Sequence, residues 1–330
     1  MEYSWALIGV ITLALIFDFV NGLHDAANSI ATVVATRVLK PHWAVLWAAF
    51  FNFIAFVFFE TKVASTVGKG VIDPSIVDIP LIFSALCGAI LWNLTTWYWG
   101  LPSSSSHALI GGLSGAGIAK AGFATLNGPG ITKICLSIVG SPLLGLILGY
   151  ILMKLAYVAV QAMKPAAIDS FFRKFQLFSS ALYSLGHGGN DAQKTMGIIT
   201  VLLISSGHLK NTEHFVVPFW VIFSCQLAMG LGTIFGGWKI VKTMGMKLTK
   251  LNPMGGCFAE TAGASTLFLA THLGIPVSTT HTITGAILGV GTGTAHQKVK
   301  WGLAGRIIWA WIFTIPAAAI IGYLLEALVR

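Results

Sequence analysis

The amino-acid sequence predicts an all-α integral membrane protein in which two repeats of one unit have inverted topologies. Hydrophobic residues make up 55% of the 330 residues and charged residues only 9%, whereas soluble domains carry about 25% charged residues. Apolar runs long enough to cross a bilayer recur along the chain. They are continuous rather than alternating, which excludes a transmembrane β-barrel. Duplicated motifs place the two repeats at residues 1–163 and 164–330.

Two unusual polar motifs occur once in each half, in the same order. NGLHDAAN, which begins at Asn21, aligns with HGGNDAQK, which begins at His187. LPSSSSHALIGG, which begins at Leu101, aligns with IPVSTTHTITGA, which begins at Ile275. All four pieces place polar or charged groups inside apolar segments, where a membrane makes them costly. Such a duplicated pair indicates a solute site where two halves meet.

The same elements are predicted in each half: a long helix interrupted by the first motif, a second helix, two short arms joined at the second motif, and a final helix. In the first half these are a helix at 3–39 interrupted at 21–25, a helix at 42–61, arms at 80–99 and 103–121, and a helix at 131–160. Their counterparts are 170–205, 214–238, arms at 256–273 and 277–293, and 301–328.

The two arms of each half could each span the bilayer, but we favour a re-entrant hairpin that enters and leaves on one side. Each junction is Gly-X-Pro followed by small polar residues, at Gly100 and at Gly274, which breaks a helix. No charged residue lies between the arms. With hairpins each half crosses the membrane three times, and an odd number of crossings inverts the second half.

The net charge of +9 comes from basic residues in short loops between apolar runs. This pattern is typical of membrane topology and argues against a nucleic-acid partner. If the N-terminus is outside, the larger set of Lys and Arg residues, from Arg37 and Lys40 to Lys298, Lys300 and Arg306, faces the cytoplasm. We therefore expect a multi-pass protein of the cell (inner or plasma) membrane with both termini extracytoplasmic.

The first motif offers oxygen ligands at helical spacing. A carboxylate at the centre of a membrane helix costs about 2.5–3.5 kcal/mol, so it needs a partner or a cavity. Carboxylate and amide oxygens are hard ligands that suit a small cation. The alternative is a structural Asp satisfied by a neighbouring Lys or His. The residues that share one helix face are Asn21, Asp25 and Asn28, and their counterparts are His187, Asp191 and Lys194.

The second motif offers hydrogen-bond donors at the start of each second arm. Free backbone N–H groups and hydroxyls at a helix N-terminus form an anion site. Two such ends that converge would suit a small tetrahedral oxyanion. Alternatively, the Ser and Thr residues only cap the arm or hold helices together. For the histidines that end the motifs, His107 and His281, we favour a structural role.

These motifs resemble the signatures of the inorganic phosphate transporter (PiT) family. G-x-N-D-x-x-N/K is present as GLHDAAN and GGNDAQK, and G-[IL]-P-x-S-[ST]-[ST]-H as GLPSSSSH and GIPVSTTH. The resemblance covers nearly the whole chain. It implies symport of phosphate with a cation, usually Na+, although some bacterial members move H+ with metal-phosphate. The first copy departs at His24, where the second has Asn190, and Lys194 replaces Asn28 in the second copy.

On this resemblance, phosphate is expected between the hairpin tips with cations beside it, moved by alternating access. The expected phosphate ligands are Ser104, Ser105, Ser106, Thr279, Thr280, Gln193 and Asn28. The expected cation ligands are Asp25, Asp191, Asn21, Asn190 and Glu260, with sodium at Asp25 and Asp191. Sodium is the coupling ion and no other cofactor is expected. Glu260 keeps proton coupling open, and a homodimer is possible.

Three competing functions differ in what the motifs should do. An intramembrane serine hydrolase would need one nucleophile, but the hydroxyls adjoin the histidines directly, the set is duplicated, and no GxSxG motif is present. A channel would need a continuous pore, whereas an inverted repeat suits alternating access. A sulfate transporter on the same fold would use the same neutral donors. We therefore predict a transporter and not an enzyme.

Overall fold

The structure, a computed structural model, describes residues 4–210, 214–294 and 299–330. The predicted start of the first helix at residue 3, and Lys298 of the cytoplasmic set, lie outside these ranges. Within them the chain is helical and contains no strand. The helices are α1 Trp5–Ala35, α2 Pro41–Ile54, α3 Lys62–Gly70, α4 Ile79–Trp99, α5 Ser105–Ala121, α6 Gly128–Ala159, α7 Pro165–Ser205, α8 Phe219–Phe235, α9 Trp238–Val241 with a π-helical turn at Lys242–Lys247, α10 Pro253–His272, α11 Thr279–Thr294 and α12 Trp301–Val329.

The breaks in the helices do not lie at the first motif. The predicted interruption at 21–25 is wrong, because α1 and its counterpart α7 run through both motifs as continuous helices. The glycines there serve close packing instead: a Cβ on Gly22 would lie 2.1 Å from the carbonyl oxygen of Met229. The broken spans are the second of each half, with bends of 84° between α2 and α3 and 66° between α8 and the Trp238–Lys247 segment.

Both pairs of arms form hairpins, as predicted. The start of α4 and the end of α5 lie side by side. Lys120 Nζ, in the last turn of α5, lies 2.5 Å from Oδ2 of Asp78, which precedes α4. At the other end α4 stops at Gly100, whose φ of 68° is a left-handed conformation that glycine adopts without strain. The hairpin of α10 and α11 turns at Gly274, which has a φ of 63°. The second motif therefore occupies the two hairpin tips.

Each hairpin packs against the last helix of the other half. Gly115 of α5 lies against α12, where an added Cβ would come within 2.0 Å of the Ala319 carbonyl oxygen. Its counterpart Gly289 of α11 lies against α6, where a Cβ would come within 2.1 Å of the Leu146 carbonyl oxygen. Close backbone approach through small residues is typical of membrane helix packing. The two halves therefore hold one another's hairpins in place by equivalent contacts.

The corresponding long helices α1 and α7 cross in antiparallel directions. Near one end of the crossing, Thr195 Oγ1 donates to Asp18 Oδ1 over 2.7 Å. Farther along α1, Ser29 Oγ lies 3.2 Å from His187 Nδ1, which precedes Thr195 in α7. Residue numbers thus increase along α1 in the direction in which they decrease along α7, so the two helices are antiparallel. The crossing brings the two copies of the first motif face to face.

Four helices of the described ranges, α1, α4, α6 and α12, are long and apolar enough to cross a membrane. Counting each bent pair as one span raises the number to six. Large apolar side chains such as Leu136, Leu155, Trp309 and Leu324 are exposed on α6 and α12. Exposed apolar surface on this scale suits a lipid environment. These features agree with the predicted membrane protein.

Candidate functional site

The two hairpin tips meet in the middle of the molecule. The rings of His107 and His281 lie edge to face with centroids 4.5 Å apart. The ring of His281 also stacks on Trp311 at 3.8 Å, and Trp311 Nε1 donates to the carbonyl oxygen of Pro102 over 3.0 Å. Aromatic contacts in these geometries stabilise the packing of the tips. The pair of histidines therefore joins the two tips.

Equivalent serines of the two tips, Ser104 and Ser278, each cap the helix that follows. Ser104 Oγ accepts from the backbone N–H of His107 over 3.3 Å, and Ser278 Oγ accepts from that of His281 over 3.2 Å. Such caps satisfy one of the free N–H groups at a helix start. The Ser104 hydroxyl is thus engaged in capping, whereas the hydroxyls of Ser106, Thr279 and Thr280 contact side chains of the long helices.

In the second half, Asp191 is held by three side chains. Its Oδ1 contacts the ammonium of Lys194. Its Oδ2 lies 3.2 Å from His187 Nε2 and accepts from Thr279 Oγ1 over 2.7 Å. None of this carboxylate is exposed to solvent. The arrangement links the first motif of this half to its own hairpin tip through Thr279.

Lys194 joins the same centre to both tips. Its Nζ donates to Ser106 Oγ of the first tip over 2.5 Å and to the carbonyl oxygen of Val277 in the second tip over 2.7 Å. With Asp191, these contacts give the ammonium one oxygen partner for each of its three N–H groups. A buried ammonium is thus fully surrounded by oxygen atoms.

In the first half, Asp25 has fewer partners. Its Oδ1 lies 2.7 Å from His24 Nδ1 and accepts from Thr280 Oγ1 at the longer distance of 3.4 Å. The neighbouring Asn28 Nδ2 donates to Thr280 Oγ1 over 2.9 Å and to Thr279 Oγ1 over 3.2 Å. Both carboxylates and Asn28 therefore face the tip of the second hairpin.

The two acidic centres form one buried cluster. Ligand atoms of Asp25, His187 and Asp191 all lie within 4.8 Å of one another, and all three residues are buried. Two further buried oxygens nearby, Ser105 Oγ and Asn28 Oδ1, have no hydrogen-bond partner among the described residues. Carboxylate oxygens this close repel one another unless a positive charge lies between them. The cluster can therefore hold a cation with an anion at the adjoining hydroxyls.

His24 and Asn190 perform equivalent tasks despite their different chemistry. His24 Nε2 lies 3.1 Å from Thr96 Oγ1 and 3.2 Å from Ser103 Oγ, both in the first hairpin. Asn190 Nδ2 donates to Thr271 Oγ1 over 3.0 Å, and its Oδ1 accepts from the N–H of Val277 over 3.3 Å, both in the second hairpin. Each side chain thus ties α1 or α7 to the hairpin of its own half.

Two predicted ligands, Gln193 and Asn21, have their contacts away from the central cluster. Gln193 contacts the bend between α2 and α3, where it accepts from the N–H of Val63 over 3.0 Å and donates to the carbonyl oxygen of Glu60 over 2.9 Å. The buried Asn21 side chain lies beside the carboxylate of Asp18. None of the described contacts of these two residues reaches a hairpin tip.

Glu260 lies in a separate buried cluster. Its Oε1 accepts from Thr32 Oγ1 over 2.6 Å and from Gln176 Nε2 over 3.0 Å. Its Oε2 accepts from Ser179 Oγ over 2.5 Å. These partners come from α1, after Asp25, and from α7, before Asp191, which is one end of the antiparallel crossing. Glu260 is thus connected to the same two long helices but not to the hairpin tips.

Sequence reasoning omitted His187 from the ligand sets, although it lies next to Asp191. The available signal was its position four residues before Asp191 on a helix, which places both side chains on one face. It is the counterpart of Asn21 in the first half. His187 Nδ1 also lies 3.2 Å from Asn52 Oδ1, so α2 helps to hold the ring.

A family model described as "Phosphate transporter family" matches residues 21–169 and 157–322 of the chain. The chain belongs to the phosphate transporter family. The transporter is 61% identical over 318 residues to a "Probable low-affinity inorganic phosphate transporter" of Rhizobium meliloti, covering 96% of this chain and 95% of that relative. A relative with the same description from Bacillus subtilis is 46% identical, covering 95% and 94%. These relatives confirm the predicted family and a transporter rather than an enzyme.

A solved structure gives the same fold for this transporter. It is described as "The sodium-dependent phosphate transporter" and superposes with a TM-score of 0.88 at 26% sequence identity. The match covers 99% of this chain and 99% of that one. The whole helical arrangement, including the hairpins, is therefore an arrangement known in a phosphate transporter.

Proposed function

We propose that this transporter carries inorganic phosphate into the cell by symport with a cation, Na+ being the coupling ion. The observation that supports this most is the cluster of Asp25, His187 and Asp191, whose ligand atoms lie within 4.8 Å of one another beneath the hairpin tips. Lys194 already neutralises Asp191 in this cluster, so the buried Asp25 carboxylate, which has no ammonium partner, is the group that favours an external cation. The described relatives, named for phosphate and in one case for sodium dependence, agree with both solutes.

Phosphate is proposed to bind between the tips, next to the carboxylates. The proposed donors are the hydroxyls of Ser105, Ser106, Thr279 and Thr280 and the free N–H groups that start α5 and α11. Asn28 is proposed to contribute its unpaired Oδ1 as an acceptor. Neutral donors at two helix N-termini suit a tetrahedral oxyanion. Gln193 is not part of this proposal, because its side chain is engaged at the α2–α3 bend.

Coupling follows from the charges in this site. A phosphate anion next to two buried carboxylates is repelled unless a cation neutralises part of their charge. The anion in turn attracts the cation, so each solute raises the affinity for the other by the same factor. Neither is then expected to bind well alone. This mutual dependence is what makes a Na+ gradient able to drive phosphate accumulation.

Alternating access is proposed because the site is closed on both sides. Asp25, Asp191, Thr279 and Thr280 are all at most 2% exposed, so solutes require a conformational change to enter and leave. The antiparallel crossing of α1 and α7 supports opposite orientation of the repeats 1–163 and 164–330. When two inverted units surround one central site, the conformation that is open to one side of the membrane can have an equivalent that is open to the other side.

The tips are also held by equivalent contacts from opposite halves. Thr66 Oγ1 of α3 donates to the carbonyl oxygen of Gly274 over 2.7 Å. Thr243 Oγ1, in the turn after α9, donates to the carbonyl oxygen of Gly100 over 3.2 Å. The short helices beyond the two bends therefore cover the two tips. Release of one tip at a time is the motion we propose for opening towards one side of the cell membrane.

The test is uptake of labelled phosphate into proteoliposomes under an inward Na+ gradient, with and without a proton gradient. We expect uptake to require the Na+ gradient and to be lost in Asp25→Asn, because the neutral amide no longer attracts the cation. Asp73→Asn is the matched control, since Asp73 is exposed and lies outside the helices of the site. Uptake driven by the proton gradient alone, or retained in Asp25→Asn, would contradict the proposal.

Competition by sulfate tests whether the site selects phosphate over other tetrahedral anions. Sulfate has the same shape but cannot donate a hydrogen bond at neutral pH, whereas phosphate carries a proton for part of the time. The unpaired acceptor Asn28 Oδ1, which is buried near the tips, suits an anion that can donate. We expect a large excess of sulfate to leave phosphate uptake unchanged. Equal competition by the two anions would contradict a phosphate-selective site.

A further inference from the structure

One pair of positions that the duplicated motif makes equivalent carries a neutral side chain in one half of the site and a lysine in the other. Asn28 in α1 and Lys194 in α7 both follow the motif Asp by three residues. Asn28 reaches Thr280 of the second tip over 2.9 Å, and Lys194 reaches Ser106 of the first tip over 2.5 Å. Thr280 and Ser106 are themselves equivalent in the second motif. A neutral amide and an ammonium thus occupy corresponding places in one framework.

The ammonium of Lys194 has the surroundings of a bound cation. It is 2% exposed and contacts a carboxylate, a hydroxyl and a backbone carbonyl, the oxygen types that coordinate hard cations. The carbonyl belongs to Val277, in the non-helical link before α11 where carbonyl groups are free for such contacts. Since all three N–H groups are used, none remains to bind phosphate directly.

The charges of the two halves are consequently unequal. In the second half the Lys194 ammonium neutralises the Asp191 carboxylate with which it is in contact. In the first half Asp25 has a neighbouring histidine, and the equivalent of Lys194 is the neutral Asn28. An external cation is therefore needed beside Asp25 but has no place beside Asp191.

We propose that Lys194 is a tethered cation that permanently fills the second of two equivalent cation positions. The transporter then binds one fewer Na+ with each phosphate than a version with asparagine at both positions. This inference rests on the proposed Na+ coupling. The number of coupling ions, and with it the steepness of phosphate accumulation, is then set by the one motif position at which Lys194 replaces asparagine.

The experiment is equilibrium binding of 22Na+ to the purified full-length protein in detergent at saturating phosphate. Lys194→Asn makes the two halves alike, and we expect it to bind one more Na+ per chain than the wild type. Lys174→Asn is the matched control on the same helix, because Lys174 is exposed and its loss should leave the count unchanged. Lys194→Gln provides a second neutral variant in case the asparagine protein does not fold.

A double variant separates ion binding from simple loss of a lysine. In Asp191→Asn/Lys194→Asn both partners are neutral, so the count should return to that of the wild type. An unchanged or lower count in the neutral Lys194 variants, with sodium bound by the wild type, would overturn the tethered-cation proposal. Absence of phosphate-dependent 22Na+ binding in the wild type itself would instead refute the proposed sodium coupling, so the two failures are distinguishable.

Discussion

Replacing Asp191 by asparagine is expected to destabilise the folded transporter by leaving the Lys194 ammonium without its carboxylate. Removing one partner of a buried ion pair typically costs about 3–5 kcal/mol. The structure supports the upper part of this range, because Asp191 is fully buried and also loses its contact with His187 at 3.2 Å. The two remaining oxygens, from Ser106 and Val277, carry no net charge and cannot neutralise the ammonium.

The assay is a double-mutant cycle on unfolding in detergent without sodium or phosphate. Asp191→Asn and Lys194→Asn should each destabilise the protein, and the double variant should be less destabilised than the sum of the two. We expect a coupling energy of about 2 kcal/mol or more, the range found for close pairs with shared contacts. Added Na+ should stabilise Lys194→Asn more than the wild type, because the ion binds only to the folded state.

A surface pair on the same helix is the control. Arg173 Nε lies 2.7 Å from Asp169 Oδ2, four residues apart in α7, and the two side chains are 43% and 49% exposed. Exposed pairs of this kind contribute about 0.3–0.5 kcal/mol. A cycle with Asp169→Asn and Arg173→Gln should give that smaller value. The same small coupling at Asp191 and Lys194 would refute the reasoning, since burial would then have no effect on the pair.

Two further predictions concern the hairpins. Gly289→Ala should destabilise the protein in detergent unfolding by about 1–3 kcal/mol, because its Cβ would lie 2.1 Å from the Leu146 carbonyl oxygen. Gly305→Ala, with nothing within 4 Å, is the control, and equal stability of both variants would contradict the packing. His24→Asn should retain phosphate uptake because Asn190 performs the same task in the other half, whereas His24→Leu should lose it. Equal loss in both would show that the imidazole itself is required.

The hairpins could be predicted because their signal is local. Gly100 and Gly274 end a helix through a left-handed backbone, and each is followed two residues later by a proline. A break of this kind needs no information from the rest of the fold. The interruption predicted at the first motif was wrong, because the glycines there, such as Gly22 and Gly188, allow close packing instead. A Cβ on Gly188 would lie 2.4 Å from the Asn52 carbonyl oxygen, a neighbour distant in the sequence.

The members of the site could be predicted from the sequence only where two partners occupy equivalent positions of the duplicated motif. Asp25 and Asp191 occupy equivalent positions of the duplicated motif, and the crossing of α1 and α7 brings them together. Gln193 lies two residues from Asp191 on a continuous helix, so its side chain points to a different face. There it contacts the bend between α2 and α3, a partner that local sequence does not reveal. The partners of Glu260, which itself lies in α10, likewise come from two other helices, α1 and α7.

The departures from symmetry have different physical consequences. His24 for Asn190 changes the chemistry but preserves the task, because both side chains bridge a long helix to its own hairpin. Lys194 for Asn28 preserves the contact with a tip hydroxyl but adds a charge that meets a carboxylate. Only the second departure changes the charge that incoming solutes must neutralise. A duplicated framework can therefore keep its geometry while one residue in one copy alters the number of ions that the site requires.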